Sequence, residues 1–188
     1  DADQAYRVFN AHLLAEEKPD TSETVLTSET AYSNVFHKDG GNASFSVMAN
    51  TLRGIYGSDV LVAAANSFTG SVLQADYTKA TARAMIMPNG LKSYHATMTG
   101  TELKETLRAF VEGCEDGFTP FNRGSLPVVS GMAVQVKEND SGYTLTGVTR
   151  NGQPLRDDDT VTVTCLATEK QMEPLLQGET CAFERAEE

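Results

Sequence analysis

Met87-Pro88-Asn89-Gly90-Leu91-Lys92-Ser93-Tyr94-His95-Ala96-Thr97-Met98-Thr99-Gly100-Thr101-Glu102-Leu103-Lys104-Glu105-Thr106 decides how the chain folds. A Pro-Xaa-Gly turn opens it, because proline fixes its own φ and glycine takes the backbone angles that a tight turn requires. Lys92 to Met98 then reads as a short strand. A Thr-Gly step follows and leads into an amphipathic helix over Thr101 to Glu112, whose apolar residues are Leu103, Leu107, Phe110 and Val111, with Gly113 as its stop.

The rhythm of strand and helix extends upstream. Asn42 or Ser44 is placed to cap a helix in which Phe45, Met48, Leu52 and Ile55 recur at helical spacing, and Gly57 supplies a left-handed stop. Asp59 to Ala65 is almost continuously apolar, which suits a strand covered on both faces by helices. A second short helix is expected around Thr78 to Met85, closed by Pro88. Near the start, Ala5, Tyr6, Phe9, Leu13 and Leu14 share one helical face, so residues 1–20 read as a lead-in helix and 21–188 as the domain proper. Between them lies a polar stretch with one short strand near Val25 and Leu26 and a turn at Asp39-Gly40-Gly41.

The last third changes to alternating patterns. Met132 to Lys137 and Tyr143 to Thr149 alternate around a turn at Asn139-Asp140-Ser141-Gly142, Asn151-Gly152 is a two-residue hairpin signal, and Thr160 to Ala167 is rich in Val and Thr. This part is expected to be antiparallel sheet.

Composition limits the partners. The 188 residues carry 15 basic and 26 acidic side chains, a formal charge of -11 that repels polyanions and excludes nucleic acid as the expected partner. The longest apolar run, Val60 to Ala65, is too short to cross a bilayer. Cys114, Cys165 and Cys181 have no metal-ligand spacing; Cys165 with Cys181 is a conceivable pair, and buried free cysteine is the expected state. The chain opens at Asp1 and closes on the charged stretch 184–188, which reads as a piece of a longer polypeptide.

Chemistry-bearing motifs are few. No phosphate-binding glycine loop, dinucleotide fingerprint, nucleophile elbow or Ser-Xaa-Xaa-Lys pair occurs. His12, His37 and His95 stand far apart, without a second ligand at helical or hairpin spacing, so no metal site and no catalytic residue is assigned. Asp157-Asp158-Asp159 lacks the alternating oxygen ligands of a calcium loop and reads as a solvated turn. Two loops carry ligand-binding candidates: Asn66 and Phe68 just past the buried strand, and Phe118, Phe121, Asn122 and Arg123, which combine flat rings with a guanidinium suited to an anion. Asn89, at the proline turn, is a further candidate.

Four stretches in order resemble the C-terminal domain of the 5'-nucleotidase, UDP-sugar hydrolase and cyclic-nucleotide phosphodiesterase family. Met87 to Thr106 is similar to the family's Pro-Phe-Gly-Asn, strand and Thr-Gly-Xaa-Xaa-Leu-Lys helix. Asp59-Val60-Leu61-Val62-Ala63-Ala64-Ala65-Asn66-Ser67 resembles its Ala-Asp-Val-Ala-Ile-Xaa-Asn-Ser segment, and Val129-Ser130-Gly131-Met132 its Val-Ser-Gly-Leu step. Asn151-Gly152-Gln153-Pro154-Leu155, running on to Val163, is similar to its Asn-Gly-Lys-Pro-Leu stretch. The resemblance implies a fold of α+β class, with stacked mixed or antiparallel sheets and outer helices, and a noncatalytic, substrate-recognition-type domain of an extracellular, cell-surface or periplasmic hydrolase in nucleotide breakdown. It also implies an upstream metallophosphoesterase domain in the same polypeptide, which alone would hold divalent metals, so no cofactor is expected in this chain.

In the family two phenylalanines sandwich the base. Here Asn89 stands where the first of them falls and Leu91 where the family has asparagine, an arginine is absent near Ser71, and Leu166-Ala167-Thr168-Glu169-Lys170-Gln171 offers no second ring. An altered or eroded nucleoside pocket is therefore expected. The alternative is a binding module that uses the same cleft for another small molecule or a surface polymer.

Overall fold

The computed structural model describes residues 24–37, 41–64, 67–86, 91–112, 126–140, 142–169, 172 and 184–185. The lead-in helix expected over residues 1–20 lies outside them.

A five-stranded mixed sheet organises the domain. Its elements are β4 (Val60–Ala64), β6 (Leu91–Thr99), β7 (Pro127–Ser130), β11 (Thr160–Thr168) and β12 (Glu184–Arg185), in the order β12-β6-β11-β4-β7. β11 runs parallel to β4 and antiparallel to β6, while β7 is antiparallel to β4. The last third is thus not wholly antiparallel: β11, read from its own pattern as part of that sheet, finds a parallel neighbour about a hundred residues upstream.

Alternation along β4 sends its side chains to two separate cores. Val60 and Val62 join one cluster, Leu61 and Ala63 the other, and all four are fully buried. That two-sided burial is why the strand reads as a continuous apolar run.

On one face lie α3 (Gly100–Glu112), through Leu103, Leu107 and Phe110, and a second sheet made of β8 (Ala133–Asn139), β9 (Gly142–Arg150) and β10 (Gln153–Pro154), through Val148, Leu145 and Val134. On the other lie α1 (Ala43–Tyr56), through Phe45, Met48 and Ala49, together with Phe68, Val72, Tyr77 and Met85. The two-stranded pairing of β1 (Thr24–Ser28) with β5 (Ala75–Thr78), the pair β2 (Phe36–His37) with β3 (Gly41–Asn42), and α2 (Lys79–Ala84) complete the described elements. The arrangement is α+β with stacked sheets between outer helices.

Local signals explain the helix ends. Asn42 caps α1 by accepting a hydrogen bond from the Phe45 amide at 2.9 Å, and Gly57 closes it at φ +64° with its amide bonded back to the last turn. The same helix corrects one expectation, since Ile55 is 72% exposed although it continues the stripe of Phe45, Met48 and Leu52. Its turn extends past the buried segment, so it meets solvent. α3 starts with a capping box in which Glu102 accepts from the Thr99 amide and hydroxyl at 2.7 and 2.8 Å, while Thr99 accepts from the Glu102 amide. Asn151 and Gly152, at φ +53° and +76°, form the tight turn between β9 and β10 that their sequence announces.

Candidate functional site

The two ends of the central sheet differ in construction. At one end the strands are locked by side-chain bonds. Asp59 accepts from the Thr162 amide and hydroxyl at 2.9 and 3.0 Å and pairs with Arg150 at 2.6 Å, and the hydrogen bond from the Thr162 amide, followed by the Thr162 hydroxyl and Arg150, holds its carboxyl below the usual range despite partial burial. Arg53 donates to the Ser130 hydroxyl at 3.0 Å, fastening α1 to β7. Gly131, at φ +88°, lies so close to the Asp59 carbonyl that a Cβ would fall 2.1 Å from its oxygen. Most of the stretches that carry the family likeness build this end.

Asp157, Asp158 and Asp159 belong to it as well. Lys104 pairs with Asp157 at 2.8 Å, the Arg156 guanidinium forks onto Asp158, and the Arg156 amide donates to Asp159. The run is a turn neutralised by cations. No group of three His, Cys, Asp or Glu side chains among the described residues is arranged to hold a metal ion.

At the opposite end lie the strand termini that flank the candidate segments. Because β4 and β11 are parallel, their carboxyl ends lie together, with Ala63 beside Leu166. The antiparallel neighbours bring their amino starts there: Leu91 of β6 stands opposite Thr168, and Pro127 of β7 opposite Ala64. Segments 65–66, 87–90 and 113–125 therefore each begin or end at this edge. Ligands in α/β sheets commonly bind outside the carboxyl ends of strands, where loops diverge.

Two of these segments have bonded anchors. The Thr69 amide donates to the Met85 carbonyl at 2.9 Å, and Phe68 and Ile86 form an isolated antiparallel bridge. Phe68 itself is 3% exposed, its ring tilted against Phe45 with centroids 5.7 Å apart. It fastens its loop to the core and presents no open face to solvent. Asn66, Asn89, Phe118, Phe121, Asn122 and Arg123 lie outside the described residues.

Two rim residues escaped the reading by motif. Lys92 of β6 pairs with Glu169, just past β11, at 3.0 Å, the lysine side chain 23% and the glutamate 75% exposed. Neither carries a chemical signal in its own spacing; only the pairing of β6 with β11 brings them together.

Elsewhere, His95 is structural: its Nδ1 lies 3.1 Å from the Thr164 hydroxyl and its ring meets Tyr56 edge-on at 5.2 Å. Cys165 is a buried free thiol, its pKa pushed up to about 12 by burial, with Sγ 3.5 Å from the Met172 sulfur. A hollow of about 420 Å³ opens between α3 and β9, lined by Lys104, Arg108, Leu145, Val148 and Leu155 among others. Both of its cations are already paired, Lys104 with Asp157 and Arg108 with Glu112. No described helix is long and apolar enough to cross a membrane.

No protein-family model matches the chain, and no curated protein matches it. Solved structures do. The NAD nucleotidase of Haemophilus influenzae aligns over 94% of this chain at 18% identity and a TM-score of 0.60. A 5'-nucleotidase precursor from Thermus thermophilus aligns over 98% at 14% identity and 0.62. The sulfate thiohydrolase SoxB of Thermus thermophilus, solved with glycerol, aligns over 98% at 16% identity and 0.60. This chain spans only 35%, 37% and 34% of those three proteins. At such identities the likeness is one of fold, and the fold is that of an α+β domain of the 5'-nucleotidase C-terminal type.

Proposed function

We propose that the chain is the substrate-recognition-type C-terminal domain of a 5'-nucleotidase-like phosphoester hydrolase acting in nucleotide breakdown outside the cytoplasm, noncatalytic alone and carrying an altered ligand pocket. An upstream metallophosphoesterase domain in the same polypeptide would hold the divalent metals and perform the hydrolysis. The observation that supports this reading is the fold, which matches about a third of two nucleotidase chains.

The pocket is read as altered because Asn89 and Leu91 replace the residues that grip a base, and because Phe68 is turned into the core. Losing an aromatic platform removes about 1–3 kcal/mol of stacking per face. Two measurements test the proposal. Metal-supplemented chain should leave AMP intact, and calorimetric titration with adenosine and UDP-sugars should show no micromolar binding. Hydrolysis that survives chelation and repurification would refute the noncatalytic assignment, and micromolar adenosine binding the altered pocket.

A binding module for a different small molecule is the second reading, favoured by the same two replacements at Asn89 and Leu91. A thermal-shift screen separates the two, since a ligand of the native state raises the melting midpoint.

A further inference from the structure

We infer that Asn151 is a spontaneous modification site, converting with water to aspartate and isoaspartate, and that the isoaspartyl form loosens the β9–β10 hairpin and the core beneath it. The inference stands independently of the ligand reading above.

The chemistry needs only the next residue and water. The Gly152 amide nitrogen attacks Asn151 Cγ; the new N–Cγ bond closes a cyclic imide, and the Cγ–Nδ2 bond breaks so that ammonia leaves with the amide proton. Water then opens the imide. Addition at Cγ breaks the N–Cγ bond and gives aspartate with the backbone as before. Addition at the main-chain carbonyl breaks the original peptide bond and gives isoaspartate, in which the chain runs through Cβ and Cγ. Nothing is oxidised or reduced.

The turn leaves both reacting groups free. Asn151 and Gly152 are exposed, and neither the Asn151 side-chain amide nor the Gly152 N–H enters a hydrogen bond among the described residues. Gly152 has no side chain to shield its nitrogen, and even an added Cβ there would meet nothing within 4 Å, so an imide ring has room. The other described asparagines lack this combination. Asn42 is 3% exposed, its Nδ2 donating to the Asn34 carbonyl at 2.6 Å and its Oδ1 holding the Phe45 amide. Asn50 lies within α1 and accepts from the Ser130 hydroxyl. Asn139 donates to the Thr144 hydroxyl at 2.8 Å, and Asn34 is followed by the β-branched Val35, which crowds the nitrogen that would attack.

The two products differ in what they do to the fold. Aspartate tolerates the left-handed backbone of this position, φ +53°, as asparagine does, so that form keeps the turn and gains a charge. Isoaspartate puts an extra carbon into a two-residue connection whose twist matches its strands. Arg150 then no longer registers with Gln153, nor Thr149 with Pro154. Leu155 follows at once: its amide bonds the Val148 carbonyl at 3.0 Å, and its side chain, 3% exposed, belongs to the core under α3.

The test incubates the full 188-residue chain beside Asn151→Gly at neutral pH and body temperature, with peptide mass spectrometry that separates aspartate from isoaspartate. A Gly-Gly pair fits the same turn without a reactive side chain, and thermal melts confirm that the variant folds. The native peptide bearing residue 151 is expected to gain the amide-to-acid mass increment in both forms, ahead of the peptides bearing Asn34, Asn42, Asn50 and Asn139, and the variant's peptide to gain none. Asn151→Asp should melt with the native chain, while material carrying isoaspartate at 151 alone should melt a few degrees lower. A residue 151 that stays intact in the folded chain after urea-unfolded chain has converted there, or earlier conversion of Asn50 or Asn139, would overturn the site. Isoaspartyl material that melts with the native chain would overturn its coupling to the core.

Discussion

Gly100 and Arg156 approach so closely that a Cβ on the glycine would lie 1.8 Å from the Arg156 carbonyl oxygen and 3.3 Å from the Leu155 side chain. The first turn of α3 is therefore seated directly on the backbone that leads into β11, and the Thr101 amide bonds to Asp157 in the same region. Only hydrogen fits there. Gly100→Ala is expected to destabilise the fold by about 3 kcal/mol, the upper part of the overpacking range. Denaturant unfolding measures it, and a loss below about 1 kcal/mol would mean that the helix can slide away freely.

Phe68 separates a packing role from a binding role. It is buried against Phe45, so truncation to alanine should cost about 3–5 kcal/mol of stability. Urea midpoints of Phe68→Ala against the native chain check this. A variant of native stability would show that the ring is not part of the core.

Acid should unfold the domain through two depressed carboxylates. Glu102 lies below its ordinary value of 4.5 because the Thr99 amide, then the Thr99 hydroxyl, bond its charged form, and Asp59 lies below 3.8 through Thr162 and Arg150. Groups whose folded pKa is lowered add stability above their unfolded values and lose it as pH falls through the folded ones. Melting temperature is thus expected to be insensitive to these groups at neutral pH and to drop from about pH 4.5 downward. The double variant Asp59→Asn, Glu102→Gln should start from a lower plateau and show a shallower acid limb. An equally steep limb in the variant would place the acid response on other groups.

Cys165 should be chemically silent in the native state. Burial raises its thiol from 9.0 to about 12, and the thiolate is the reactive form. Alkylation at about pH 8 followed by mass spectrometry should leave Cys165 unmodified until denaturant is added. The raised pKa also favours the fold below about pH 9 and costs stability as pH climbs from there toward 12, so the alkaline limb of the melting curve should soften in Cys165→Ala. Rapid native labelling would contradict the burial.

Much of the architecture was legible because local chemistry and burial agree. The Asn42 cap, offered beside Ser44, the Gly57 stop and the Asn151-Gly152 turn are each encoded within a few residues and form as read, while the equally local Thr99-Glu102 box was not read in advance. What periodicity cannot carry is the extent of the neighbour it packs against. Ile55 has the right spacing and sits past the end of the contact. Ala75-Asp76-Tyr77-Thr78 forms a strand on the strength of one buried side chain, Tyr77, too little to mark it in advance. The parallel pairing of β11 with β4 depends on residues far apart in the chain. For the candidate site, the burial of Phe68 against Phe45 could not be read from its neighbours. That Ala64, Leu91 and Pro127 share one edge of the sheet follows only from strand directions, and the Lys92–Glu169 contact only from register.

The join between Val60 and Val163, at the centre of the sheet, also sets the order in which the polypeptide can mature. Both hydrophobic clusters draw on β4 and on β11, so neither can close until a span of about a hundred residues has been looped back, an entropic barrier that slows folding. During synthesis the first strand must wait, uncovered, for a partner that has not yet left the ribosome. A break in the chain anywhere between them leaves two pieces, neither of which holds a complete core.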